Sequence, residues 1–83
     1  MNKKELKKKL DLLEINENDY SLEGNYIPDS IILINLGSKQ EVFYFDEKGN
    51  KNNEKIFIDE EKAYNYIYDL FIEAKKIERK YLS

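Results

Sequence analysis

Two pairs of adjacent carboxylates, Asp46-Glu47 and Glu60-Glu61, and four serines, Ser21, Ser30, Ser38 and Ser83, come closest to catalytic chemistry in this chain. Paired carboxylates can share acid and base work in glycoside cleavage. A serine can attack a carbonyl once a base takes its proton. Neither arrangement is complete here. The chain has no histidine and no cysteine, so a Ser-His-acid or Cys-His relay lacks its base or its nucleophile. A Ser-Lys pair is formally available, but none of the serines lies in an elbow motif. Asp46-Glu47 falls in a turn, and Glu60-Glu61 opens a helix, where acids complement the exposed N–H groups. A metal site would have only oxygen ligands. Asp46-Glu47-Lys48-Gly49-Asn50-Lys51-Asn52 superficially resembles a calcium loop, yet lysines interrupt it and the closing glutamate is misplaced. The three scattered glycines cradle no phosphate. The expectation is a binding protein and not an enzyme, with no cofactor and no metal.

Charge is what the sequence segregates. Residues 1–10 hold five lysines and one glutamate, whereas Asp11 to Leu36 holds six acids and no base. A one-signed field steers a basic partner and repels nucleic acid. Tyrosines interleave with these acids, and tyrosine brings contact area with little loss of rotamer freedom. Glu17, Asp19, Tyr20, Glu23, Tyr26 and Asp29, with Tyr44, Asp46 and Glu47, are therefore the candidate partner-binding residues. Tyr64, Tyr66, Tyr68 and Tyr81 cannot all face one core from a single helix.

These residues must be positioned by a few short elements. Leu6, Leu10 and Leu13 recur at i, i+4 and i+7, predicting an amphipathic helix over 3–14. Asn16, Asn18 and Asp19 break it, because their side chains compete for backbone hydrogen bonds. A short strand is expected at Tyr20-Ser21-Leu22, with a turn at Glu23-Gly24-Asn25 and Pro28 at a turn or edge. Ser30 to Leu36 and Glu41 to Asp46 read as a hairpin across Gly37-Ser38-Lys39-Gln40. A second turn at Glu47 to Asn50 and a polar loop through Asn53 lead to a last strand at Ile56-Phe57-Ile58. Asp59 caps a helix running to about Tyr81, with Ala63, Ile67, Leu70, Phe71, Ala74, Ile77 and Tyr81 as its buried stripe and Lys75, Lys76, Arg79 and Lys80 in its basic half.

The order α-β-β-β-β-α predicts one α+β domain spanning 1–83, an antiparallel sheet of about four strands flanked by an N-terminal and a long C-terminal helix. One feature complicates a simple two-layer packing. Ile31 to Ile34 and Val42 to Phe45 do not alternate apolar with polar, so both faces of the hairpin are apolar. Either the two helices sandwich the sheet, or one face stays open for a partner or a second copy.

Length and composition narrow the setting. At 83 residues with 41% hydrophobic and 13% aromatic content, the chain is in the range where one core gives modest stability. The absence of cysteine suits a reducing cytosol. The first ten residues lack an apolar signal region, and Ile31 to Ile34 falls far short of the ~20 residues of a membrane helix. A cytoplasmic protein is expected, with no membrane and no nucleic acid among its partners.

Longer strings carry a resemblance. Tyr20-Ser21-Leu22-Glu23-Gly24, then Glu41-Val42-Phe43-Tyr44-Phe45-Asp46-Glu47-Lys48-Gly49-Asn50-Lys51, then Phe57-Ile58-Asp59-Glu60-Glu61-Lys62-Ala63 and Tyr66-Ile67 resemble small immunity proteins of bacterial polymorphic toxin systems. These include the ones encoded beside contact-dependent growth inhibition toxins. Phe57, Glu60 and Ala63 hold the spacing that opens the family's last helix. Tyr64 replaces a cysteine there, Gln40 stands where tryptophan precedes Glu41, and Lys48 replaces arginine before Gly49. The resemblance implies inhibition of a cognate toxin domain, often a nuclease, by protein–protein contact. The rival expectations are a small adaptor that homodimerises through the apolar hairpin and a nucleic-acid-associated protein using the lysine-rich first helix.

Overall fold

The computed structural model describes residues 1–82, with side chains described as far as Glu78. The expected side chains of Arg79, Lys80 and Tyr81 lie outside that set. Helix α1 spans Lys3–Leu12. Its start is fixed by a capping box: the Asn2 side chain accepts from the Glu5 N–H at 2.8 Å, and the Glu5 carboxylate accepts from the Asn2 N–H at 3.4 Å. The helix stops two residues earlier than its periodicity predicts. Glu14 takes φ 60, and the N–H groups of Glu14 and Ile15 donate back to the carbonyls of Asp11 and Leu10. That pattern is a Schellman stop, which satisfies the last orphan carbonyls.

Four strands follow in the order β1-β2-β3-β4: β1 (Tyr20–Ser21), β2 (Ser30–Asn35), β3 (Gln40–Phe45) and β4 (Lys51–Phe57). The chain is thus α+β, with a four-stranded sheet flanked by α1 and by α2 (Glu60–Leu82). One pairing departs from an all-antiparallel sheet. β1 runs parallel to β2, with Tyr20 opposite Ile31. Residues 22–29 make no hairpin, because the Ser21 hydroxyl accepts from the N–H groups of Glu23 and Asn25 and Gly24 takes φ +76. The chain is turned back across the sheet, and eight residues suffice for this crossover because β1 is only two residues long. β4 also begins five residues before Ile56. Asn and Lys are poor strand formers, but pairing with β3 overrides that preference, with a bulge between Val42 and Tyr44 and Asn53 at φ 53.

Both helices lie on one face of the sheet. Leu6, Leu10, Leu33, Val42, Ala63, Tyr64, Ile67 and Phe71 form one buried cluster. Register puts Ile32 and Phe43 opposite one another on the other face, where they are 0% and 1% exposed. Neither arrangement expected from the sequence describes that face. It is covered by the 22–29 crossover, whose Tyr26 ring meets Phe43 and Phe45 edge-on at 5.7 and 5.1 Å. Among the described residues, no helix is long and apolar enough to cross a membrane.

Candidate functional site

The parallel pairing of β1 and β2 decides where the acids go. The two strands start at the same end of the sheet, and the turn from β3 into β4 returns to it. Glu17 and Asp19, in the 3-10 turn before β1, share that end with Asp29 before β2 and with Asp46 and Glu47 after β3. An antiparallel β1 would have sent the first two to the opposite end. The turn is tied down where the Ser30 hydroxyl donates to the Asn18 carbonyl at 2.6 Å.

Tyr44 stands in the middle of this end. Its hydroxyl donates to the Asp29 carboxylate, and that bond pushes the phenol up to about 12. Asp29 is itself held at φ 60. A shallow hollow of about 330 Å³ is lined by Asp29, Tyr44, Asp46, Glu47 and Lys48. Asp46 is committed to its own turn: its carboxylate accepts from the N–H groups of Lys48 and Asn50 and from the Asn52 amide. Those bonds, that of Asn50 foremost, hold its carboxyl below the usual range, so it stays ionised. Among the described residues, no ion pair reaches Glu17, Asp19, Asp29, Asp46 or Glu47. Among the described residues, Lys48 is the one cation lining the hollow.

Asp29, Tyr44, Asp46 and Glu47 line this hollow and Glu17 and Asp19 lie at the same sheet end, but Glu17 lines a separate hollow with Lys7, Asp11, Tyr20 and Glu23. Tyr20 is a correction: it is 7% exposed and packs edge-on against Phe71 at 6.1 Å. The parallel strand turns its ring into the core, while burial, then Asp11 and Glu17, raise its hydroxyl's pKa. Glu23 faces α1, where it pairs with Lys3 at 3.0 Å and Lys7 at 3.9 Å. The Lys3 hydrogen bond lowers its pKa, and its charge is locally neutralised. Tyr26 is half-exposed on the opposite face, beside the Lys51 ammonium.

Sequence reading missed Lys48 at the hollow and read Leu70 only as core, although Leu70 lines a small cavity with Tyr44, Ile31 and Asn53. Its position in a helical stripe could not reveal that contact, which depends on where α2 leaves the sheet. The basic stretch of α1 is partly used internally: Lys3 and Lys7 meet Glu23, and Lys9 lies over the Tyr68 ring at 5.3 Å. Comparison with protein-family models, curated proteins and solved structures returns no match.

Proposed function

We propose that this chain is an inhibitor that binds a basic protein through the acidic end of its sheet, and that the partner is a cognate toxin domain, a nuclease by its chemistry. The observation that carries the basic partner is that five carboxylates share one sheet end and, among the described residues, none of them is in an ion pair. Nucleases hold phosphate in a cationic cleft, and an acidic plug both occupies such a cleft and speeds encounter. The toxin class rests on the sequence resemblance alone. The inhibition needs no chemistry from this chain, in keeping with its lack of histidine and cysteine.

The direct test is growth rescue. If a toxin-like reading frame lies beside this gene, as the immunity reading requires, cells expressing it should survive when the chain is co-expressed. The triple variant Glu17→Lys, Asp19→Lys, Glu47→Lys should fold normally by circular dichroism and lose that protection. Failure of the unmodified chain to rescue would sink the immunity reading. A second reading has its own observation: Tyr26, Leu36 and Ile56 are each about half exposed, and they lie toward the crossover face of the sheet. A homodimer through that face is the alternative, and light scattering showing a clean monomer at high micromolar concentration would remove it.

A further inference from the structure

β1 is the edge strand of the sheet and pairs with β2 alone. Beside it opens a second hollow, of about 290 Å³, between α1 and the 22–29 crossover. Lys7 and Asp11 line it from α1, Glu17 from the 3-10 turn, Tyr20 from β1, and Leu22, Glu23 and Ile27 from the crossover. Its charges are unevenly matched. Glu23 is offset by Lys3 and Lys7. Among the described residues, no ion pair reaches Asp11 or Glu17.

A hydroxyl sets this hollow apart from a plain acidic patch. A buried tyrosine usually finds a hydrogen-bond partner for its O–H. Tyr44 and Tyr64 do, donating to Asp29 and Glu60. Tyr20 is 7% exposed, with its ring held edge-on against Phe71. Yet among the described residues nothing pairs with its hydroxyl, in contrast to the other two. Burial foremost, then Asp11 and Glu17, oppose ionisation of that hydroxyl, so it sits within the field of both carboxylates. Among the described residues, the hollow therefore offers two uncompensated anions and one unused hydroxyl, each from a different element. The hollow at Tyr44 has no such hydroxyl to spare.

We infer that the hollow beside β1 is a pocket for one guanidinium group, brought as an arginine side chain by the protein partner, with the Tyr20 hydroxyl and the Asp11 and Glu17 carboxylates as its acceptors. The inference rests on the basic-partner reading and gives that partner an anchor at a defined place. A guanidinium suits the pocket better than an ammonium for two reasons. Its five N–H donors spread from one plane and can meet acceptors on three elements at once. It is also the more weakly hydrated cation, and Leu22 and Ile27 line the same hollow, where water must be shed. The chain itself carries thirteen lysines and a single arginine, Arg79, so a second copy can offer the fitting group from one position only.

The test uses the labelled full-length chain and two blocked amino acids of equal charge, N-acetyl-argininamide and N-acetyl-lysinamide, with octalysine as a probe of the acidic end. Amide chemical shifts locate each contact, and titration gives the affinity. The arginine compound should move Asp11, Glu17 and Tyr20 and bind at least about tenfold more tightly than the lysine compound, a factor of ten being about 1.4 kcal/mol. Tyr20→Phe keeps the ring against Phe71 and should narrow that preference to about twofold. Glu17→Gln, at an exposed position, should weaken the arginine compound severalfold in a normally folded chain. Equal binding of the two compounds overturns the guanidinium pocket. If octalysine moves Tyr44, Asp46 and Glu47 while the arginine compound leaves Asp11 and Tyr20 unmoved, the pocket falls and the acidic-end reading stands. No shift at either hollow with any probe overturns both. Self-association of the unmodified chain that Arg79→Lys abolishes would give the pocket to a second copy and overturn the partner's claim to it.

Discussion

The two faces of this sheet reach the same burial by different means. On one, Leu33 and Val42 are sealed by two helices that contribute Leu6, Leu10, Ala63, Tyr64, Ile67 and Phe71. On the other, Ile32 and Phe43 are equally buried, but the cover is one crossover segment bearing one tyrosine ring, with the Lys51 ammonium 4.7 Å from the Phe43 ring. The helix face is close-packed, because its buried side chains form a single cluster with little room to readjust. The crossover face depends on Tyr26 and on whatever holds residues 22–29 in place. Besides the Ser21 hydroxyl, two ties to other elements do so: Glu23 to the lysines of α1, and Asp29 to Tyr44. One segment thus both covers a sheet face and delivers Asp29 to the acidic end.

Removing a side chain from the close-packed helix face should have the largest effect. Ile67 is fully buried, and Ile67→Ala leaves a cavity that rigid helices and strands cannot close. A loss of about 2–5 kcal/mol is expected for such a truncation, read as a fall in the urea midpoint with an unchanged slope. In a domain of this size that approaches the whole stability. The comparison of faces breaks if Ile67→Ala proves milder than truncation of Tyr26.

Tyr26→Ala comes next. It deletes two edge-on ring contacts, each worth about 0.5–1.5 kcal/mol beyond area, at a position already half in water. The expected outcome is a folded protein with a moderate drop in midpoint and faster amide exchange confined to β2 and β3, since only the crossover face is uncovered. Tyr26→Phe should restore the stability, because the ring and not the hydroxyl makes the contacts. Loss of protection spreading to α2 would show that the two faces are not independent.

Much of this was legible in the residues. The leucine spacing of α1, the β-branched run of β2 and the Asp59 cap each act through local chemistry, and each element forms there, α1 stopping two residues short of its expected end. Asp59 accepts from the Glu61 N–H at 2.9 Å, as its position before Glu60-Glu61 predicts. The apolar hairpin also announced that both faces are apolar, which left the second face either to a helix or open to a partner. What covers the second face was not legible, because it follows from the direction of β1, a two-residue strand too short to declare a partner. The same direction moved Tyr20 into the core and put Glu17 and Asp19 at the sheet end that also carries Asp46 and Glu47. β4 was hidden for another reason: Lys51 to Lys55 has no strand character of its own and is strand only because β3 offers a ladder. The candidate site was thus readable as a set of residue types, while its membership was fixed by pairings between distant segments.

The smallest effect concerns the tie between Asp29 and Tyr44, and pH is its probe. The hydrogen bond to the Asp29 carboxylate, helped by burial and by nearby acids, raises the Tyr44 phenol from 10.0 to about 12. The folded protein then holds a proton on Tyr44 that the unfolded chain has already released, so the tie favours folding while the phenol is protonated. Its contribution is complete below pH 10 and is lost as pH climbs from 10 to about 12. Phenolate absorbance, taken as the difference between the unmodified chain and Tyr44→Phe, should show Tyr44 ionising near the top of that window. Asp29→Asn should bring it back toward 10, because the amide keeps the shape but removes the charge. As the tie opens, the crossover loses one of its two anchors, so amide exchange at Ile27 and Asp29 should accelerate while that of α1 stays unchanged. A Tyr44 that titrates at 10 in the unmodified chain would remove the tie, leaving the Glu23 pairs as the only ionic hold on the segment that covers Phe43.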